Sequence, residues 1–233
     1  MIEILPLASG SKGNCYHITD GAAPLLLEAG ISFKELQRGL DFQTSDLCGC
    51  LVTHEHADHS KAVKGLIRAG VDCYMSEGTR AALAAEGHRV KVICAREQIK
   101  VCTWDVLPFD TQHDAAEPLG FLLADKDGDK LLYATDTFYI RYRFRGLTHI
   151  MVECNYAMDI LRGNVAAGLV PVELKNRILK SHFSLANVKE FLMANDLSRV
   201  REIWLLHLSD DNSDAERFKR EIQELTGRMV YIA

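Results

Sequence analysis

The sequence predicts an α/β protein in which a two-layered sheet core carries helices on its outside. Three observations point there. The chain has 233 residues, 48% hydrophobic and 25% charged, which is ordinary for a soluble globular protein and enough to bury a sizeable core as a single domain, 1–233. Short apolar runs separated by polar or Gly-containing turns dominate the first third and the middle, as in strands. Helical periodicity appears between those runs, in the order strands, helices, strands, helices, strand, which suits a layered sheet covered by helices.

Taken in order, IEILPL (2–7), CYHIT (15–19), APLLLEAG (23–30) and CGCLVTH (48–54) read as strands. HSKAVKGLIRAG (59–70) places Val63, Leu66 and Ile67 at helical spacing and closes on Gly70, a C-terminal cap. VDCYMS reads as a strand, and GTRAALAAEG (78–87) as a helix ending at its Gly. KVICA, WDVLPFD, LGFLLAD, KLLYATD and THIMVECNY return to strands, with a DGD turn before Lys130. Near the end, SLANVKEFLMAND carries Ser184 as N-cap and Leu185, Val188, Phe191 and Leu192 on one face. SDAERFKREIQEL opens with Ser213 and Glu216 in capping-box register. EIWLLHLS between these helices is a buried strand, and MVYIA is the last.

The formal net charge of −5 argues against strong non-specific nucleic-acid binding by a globally basic surface, but not against a local basic groove. In IRYRFRG (140–146), Arg141, Arg143 and Arg145 alternate with Tyr142 and Phe144, so an extended chain would put the three cations on one side. A solvated edge reads the same pattern equally well. The seven cysteines are scattered except for Cys48-Gly49-Cys50, where buried thiols are the favoured reading over a metal site. An odd count and a start lacking a basic region before a long apolar stretch predict no disulfide framework and a cytoplasmic protein. No apolar run is long enough for a membrane span.

The stretch LVTHEHADHS (51–60) packs His54, His56 and His59 around Asp58. Imidazole and carboxylate are good ligands for divalent ions, and the alternative is a solvated loop that happens to be rich in histidine. Other polar residues also follow apolar runs: His113 after WDVLPF, Asp136 closing KLLYATD, and His207 after EIWLL. Strand ends are where a rigid scaffold aims several side chains at one point. Each one alone would be an ordinary core residue; their shared placement beside HEHADH favours a metal site.

The H-x-H-x-D-H stretch with these downstream residues resembles the metallo-β-lactamase superfamily over essentially the whole chain. The resemblance implies a four-layered αβ/βα sandwich and two divalent metal ions, zinc or manganese. His54, His56 and His113 would hold one ion, and Asp58, His59 and His207 the other, with Asp136 between them. Two such ions about 4 Å apart hold a hydroxide and neutralise a developing oxyanion.

SGSKGNC (9–15), HDAAEPLGF (113–121), VECNY (152–156), SHFSLAN (181–187) and LLHLSDDN (205–212) further resemble small metallo-β-lactamase-fold nucleases of the WalJ/YycJ type and, more distantly, ribonuclease Z. That resemblance implies hydrolysis of nucleic-acid phosphodiesters, in its most specific form 5′-to-3′ DNA exonuclease action. Asp58 would help manage the nucleophile's proton. His182, oriented by Glu153, would serve a phosphate oxygen or the leaving group; the plainer reading makes His182 a residue that merely precedes the Ser184 cap. Ser9, Ser11 and Asn14 would present polar groups to phosphate, and Arg141, Arg143 and Arg145 would contact the backbone, joined by Lys175, Arg177 and Lys180. Glu28-Ala29-Gly30 departs from the family's usual Asp-Ala-Gly, which puts a longer carboxylate behind the second ion. His17, His88 and His149 read as structural or surface residues. Nothing points to an obligate protein partner or to a membrane. A small-molecule hydrolase (cyclic phosphodiesterase, thioesterase or lactonase) and a non-catalytic metal-binding module are the rival readings.

Overall fold

A computed structural model describes residues 1–233, which form two compact units. The first comprises Met1–Asp110 and Ala115–Asp129, and the second Thr111–Asp114 and Lys130–Ala233.

The first unit opens with strands β1 (Glu3–Ala8), β2 (Cys15–Thr19) and β3 (Leu25–Leu27), an antiparallel meander. Helix α1 (Phe33–Gly39) follows, then β4 (Cys50–Leu51), α2 (Ala57–Ser60), α3 (Val63–Arg68), β5 (Cys73–Met75), α4 (Glu77–Ala82) and β6 (Val90–Val92). Strands β3 to β6 pair in parallel, so the six strands lie side by side in chain order. Leu26, Val52, Met75, Leu36, Val63 and Leu66 join strands and helices in one buried cluster. A second antiparallel set, β7 (Ile99–Val101), β8 (Trp104–Asp110) and β9 (Leu119–Ala124), completes the unit. It is pinned to the first set where Trp104 Nε1 donates to the Ala23 carbonyl at 2.9 Å and the Thr103 hydroxyl donates to Asp20 at 2.6 Å.

A disulfide between Cys48 and Cys102 joins the same two regions, with 6.1 Å between the Cα atoms. The expectation of buried thiols in the Cys48-Gly49-Cys50 stretch is corrected at Cys48, because the β7–β8 turn brings Cys102 to it from 54 positions away in sequence. Cys50, the other half of the CGC stretch, is the expected buried thiol.

In the second unit, β10 (Lys130–Ala134) and β11 (His149–Glu153) precede helices α5 (Met158–Ala166), α6 (Val172–Ser181) and α7 (Leu185–Met193). Then come β12 (Glu202–Leu206), α8 (Ala215–Thr226) and β13 (Met229–Ile232). The four strands are wholly parallel, and β11 is buried along its entire length, as expected of a strand covered on both faces. Helices α7 and α8 bury Val188, Phe191 and Leu192, and Phe218 and Ile222. No helix is long and apolar enough to cross a membrane.

Several helix ends differ from expectation. The 59–70 stretch divides into α2 and α3, although Gly70 does take the left-handed position just beyond the end (φ +89°). Helix α4 starts at Glu77, capped by Ser76, and stops at Ala82, short of the expected Gly87. Asp214, not Ser213, caps α8 by accepting from the Arg217 N–H, because the Ser213 hydroxyl donates back to the Ser209 carbonyl. Helices α1, α5 and α6 lie outside the helical stretches that the sequence predicts. The signal for α1 was present, since Ser32 and Glu35 form a full capping box.

Candidate metal centre

In the first unit, the chain leaves β4 and immediately presents the histidine-rich stretch. His54 is buried, and its Nδ1 lies 2.8 Å from the Thr53 hydroxyl, which leaves Nε2 facing His56 Nδ1 at 3.1 Å. His56 is the N-cap of α2, and the next turn carries Asp58 and the fully buried His59, whose Nε2 is 3.4 Å from Asp58 Oδ2. Behind His59 stands Glu28, also fully buried, with Oε2 3.6 Å from His59 Nδ1 and accepting the Thr53 N–H at 3.3 Å. The longer carboxylate is thus accommodated, and Oε1 of Glu28 has no hydrogen-bond partner.

The SGSKGNC loop braces this arrangement. The Asn14 backbone N–H donates to the Asp58 carbonyl at 2.7 Å, and Gly30 N–H donates to the Asn14 carbonyl at 2.8 Å. At Gly30 a Cβ would fall 1.6 Å from the Asp58 carbonyl oxygen, so only glycine permits this approach. The Asn14 amide is fully buried: Oδ1 accepts from Gly10 N–H and Tyr16 hydroxyl, while Nδ2 faces the Gly10 and Asp58 carbonyls and His59 Nε2. Asn14 is therefore placed as a brace, not as the phosphate contact expected from the sequence. Ser9 is half-buried beside the Tyr16 hydroxyl, and Ser11 is exposed.

In the second unit, His113 sits in the short 111–114 segment with its ring buried. Its Nδ1 donates to the Ser181 carbonyl at 3.0 Å, which leaves Nε2 unprotonated and directed at Asp136 Oδ2, 3.5 Å away. Burial lowers the pKa of His113, with Asp136 opposing that effect, so the ring is held neutral as a metal ligand requires. Asp136 presents its other oxygen, Oδ1, to His207 Nε2 at 3.8 Å. Glu28, Asp136 and His207 all lie just past strand ends with left-handed backbones (φ +66°, +46° and +51°), conformations that cost non-glycine residues on the order of 1 kcal/mol each.

Glu153, at the end of β11, is fully buried and organises this half. Its Oε2 accepts the N–H groups of Thr137 and Phe183, both at 3.1 Å, and its Oε1 lies 2.5 Å from His182 Nδ1 and 3.6 Å from His207 Nδ1. Burial would lower the His182 pKa, but the Glu153 carboxylate outweighs it, with Asp136 and Asp114 adding, and raises it to about 9. Donor atoms of Asp136, Glu153, His182 and His207 lie within 4.8 Å of one another. Asn155, which the sequence offered only inside VECNY, fixes His207 through contacts to its Nδ1 and carbonyl at 3.1 and 2.9 Å.

A divalent ion fits these pairs. Ligands at about 2.1 Å, at ordinary coordination angles, stand roughly 3.0–3.6 Å apart. The spacings of His54 with His56, Asp58 with His59, and Asp136 with His113 are 3.1, 3.4 and 3.5 Å, and Asp136 with His207 is slightly wider. The two Asp136 oxygens turn toward different histidines, as a carboxylate bridging two ions does.

Arg141, Arg143 and Arg145 lie in a segment outside any strand or helix and are exposed, while Tyr142 is half-buried and Phe144 is buried against Phe191 at 6.4 Å between centroids. On α6, Lys175 is half-buried, Lys180 is exposed, and Arg177 is paired with Asp114 at 3.2 Å. His149 is buried within β11, in keeping with a structural role.

Residues 25–207 match the Beta-lactamase superfamily domain, and the chain belongs to that family. It is 33% identical over 227 residues to Exodeoxyribonuclease WalJ of Streptococcus pneumoniae, covering 90% of this chain and 82% of the relative. It is 30% identical over 237 residues to Exodeoxyribonuclease YycJ of Bacillus anthracis, covering 94% and 87%. Among solved structures, the metallo-β-lactamase fold protein YhfI from Bacillus subtilis superposes with a TM-score of 0.74 at 12% identity, covering 100% of this chain and 97% of that one. The chain has the metallo-β-lactamase fold, an α/β sandwich of two mixed sheets and helices, and is a metal-dependent hydrolase.

Proposed function

We propose that the chain is a DNA exonuclease, digesting 5′-to-3′, whose two units act as a single catalytic domain spanning 1–233. His54, His56 and His113 would hold one divalent ion and Asp58, His59 and His207 a second, with Asp136 placed to serve both. The observation that carries the hydrolytic reading is the divided aim of the Asp136 carboxylate, one oxygen toward His113 and the other toward His207. The substrate class is supported by two relatives named exodeoxyribonucleases that align along nearly the whole chain. When bound, the ions supply a water-derived nucleophile at neutral pH and neutralise charge on the phosphate.

The protein's own groups do the rest. Asp58 accepts the nucleophile's proton. His182, held through Nδ1 by Glu153, keeps Nε2 for a phosphate oxygen or the departing hydroxyl. Ser9, Ser11 and the exposed Arg141, Arg143 and Arg145 contact the strand's backbone.

The test is digestion of end-labelled single- and double-stranded DNA with zinc and manganese supplied separately, beside Asp58→Ala protein of unchanged fold. Stepwise shortening from the 5′ end, absent in the variant, is expected. Turnover of a small phosphodiester or thioester with every strand left intact would instead assign a small-molecule hydrolase.

A further inference from the structure

Next to the candidate centre, the second unit contains a half-open cavity of about 250 Å³, just below the range of roughly 300–1,000 Å³ usual for drug-sized ligands, a size suited to one planar ring system. One wall is the segment Tyr139–Arg143, which begins three residues beyond Asp136. The other is α7 with the preceding Phe183, which directly follows His182. The two walls are tied together where Asn187 Nδ2 donates to the Phe138 carbonyl at 3.1 Å and Asn195 Oδ1 accepts the Phe144 N–H at 2.7 Å. Both walls are therefore continuous with residues of the candidate centre, one through Asp136 and Thr137 and the other through His182.

The lining is chemically specific. Tyr139, Tyr142, Phe183 and Phe191 supply aromatic surface, Asn187 and the exposed Glu190 supply polar groups at one side, and Arg141 and Arg143 stand exposed at the rim. Aromatic faces stack on any base, a carboxylate accepts hydrogen bonds from exocyclic amines, and rim guanidinium groups pair with phosphates. A bare phosphate would make no use of the aromatic faces, whereas a nucleotide engages the aromatic faces and the arginines together.

We propose that this cavity receives the nucleobase of the terminal nucleotide of the strand being digested, so that end recognition lies in the loop after Asp136 and in α7. The inference rests on the nuclease reading for its substrate. It adds a base-binding subsite that sets how the chain end is gripped.

The test is the affinity of the metal-loaded protein for a nuclease-resistant phosphorothioate pentanucleotide, compared with the same strand lacking the base of its terminal nucleotide. Fluorescence anisotropy reads both, for wild type and for Ala194→Phe, which fills the cavity from its exposed margin. Wild type is expected to bind the base-free end about tenfold more weakly. Ala194→Phe should bind both strands at that weaker level, and Tyr139→Ala, at a residue 57% exposed, should lose part of the difference. Equal binding of the two strands by wild type, or a difference undiminished in both variants, would overturn the proposal. Discrimination between the ends together with failure to hydrolyse ordinary DNA would overturn the nuclease reading and leave the base pocket standing.

Discussion

Replacing Asn14 with alanine should cost about 4 kcal/mol of stability in metal-free protein. The side chain is fully buried, and its two ends are both engaged. Oδ1 accepts from Gly10 N–H at 3.0 Å and from the Tyr16 hydroxyl at 3.2 Å. The two protons of Nδ2 have the Gly10 carbonyl at 3.1 Å, the Asp58 carbonyl at 3.3 Å and His59 Nε2 at 3.2 Å to choose from, so they make two bonds at once. Four buried bonds at about 1 kcal/mol each give the estimate. Natural domains have stabilities of about 5–15 kcal/mol, so the variant should still fold. Urea unfolding in EDTA measures the loss without any contribution from bound metal. Asn14→Ala should also weaken zinc binding, because the amide holds the turn that carries Asp58 and His59. A stability loss below about 1 kcal/mol would refute the reasoning, showing that backbone bonds alone hold the loop.

Three other perturbations probe separate parts of the account. Glu153→Gln should lower turnover by about 10- to 100-fold with the fold intact, since it loosens His182 and the Thr137 and Phe183 loops together; unchanged kinetics would remove Glu153 from the mechanism. Substituting Arg141, Arg143 and Arg145 together by alanine should reduce the slope of log affinity against log salt for single-stranded DNA by about 2, while leaving hydrolysis of a small phosphodiester untouched. Glu221 bonds to Lys189 and Arg217, in that order of effect, and these hold its pKa below the ordinary carboxylate value. Its contribution, about 0.5–1 kcal/mol for such half-exposed pairs, is present above the unfolded value and lost as pH falls through the lower folded one. The thermal unfolding temperature of Glu221→Gln should therefore fall below that of wild type at pH 7 and approach it as pH falls below the ordinary carboxylate range.

The candidate metal ligands were legible because their chemistry is confined to a few side-chain types and strand ends cluster them. HEHADH is six residues long, and His113, Asp136 and His207 each follow an apolar run. The sheets were legible for a similar reason, since apolar strands bounded by turns need no tertiary information. Asn14 shows where this stops. Its sequence context suits a phosphate loop, and only the close approach of Gly30 to Asp58 reveals that the amide points inward. The Cys48–Cys102 bond was equally hidden, being a contact between a loop before β4 and a turn after β7. Helix α6 has no side-chain cap and begins after Pro171, so its start gave no N-cap signal, although its C-terminal carbonyl at Ser181 orients His113.

Metal content per chain tests the central claim most directly. Protein loaded with zinc or manganese and passed through a desalting column should retain two ions in wild type and no more than one in Asp136→Ala, whose fold is checked by circular dichroism. Two ions in both proteins, or none in wild type, would contradict a bridged two-metal centre built on Asp136.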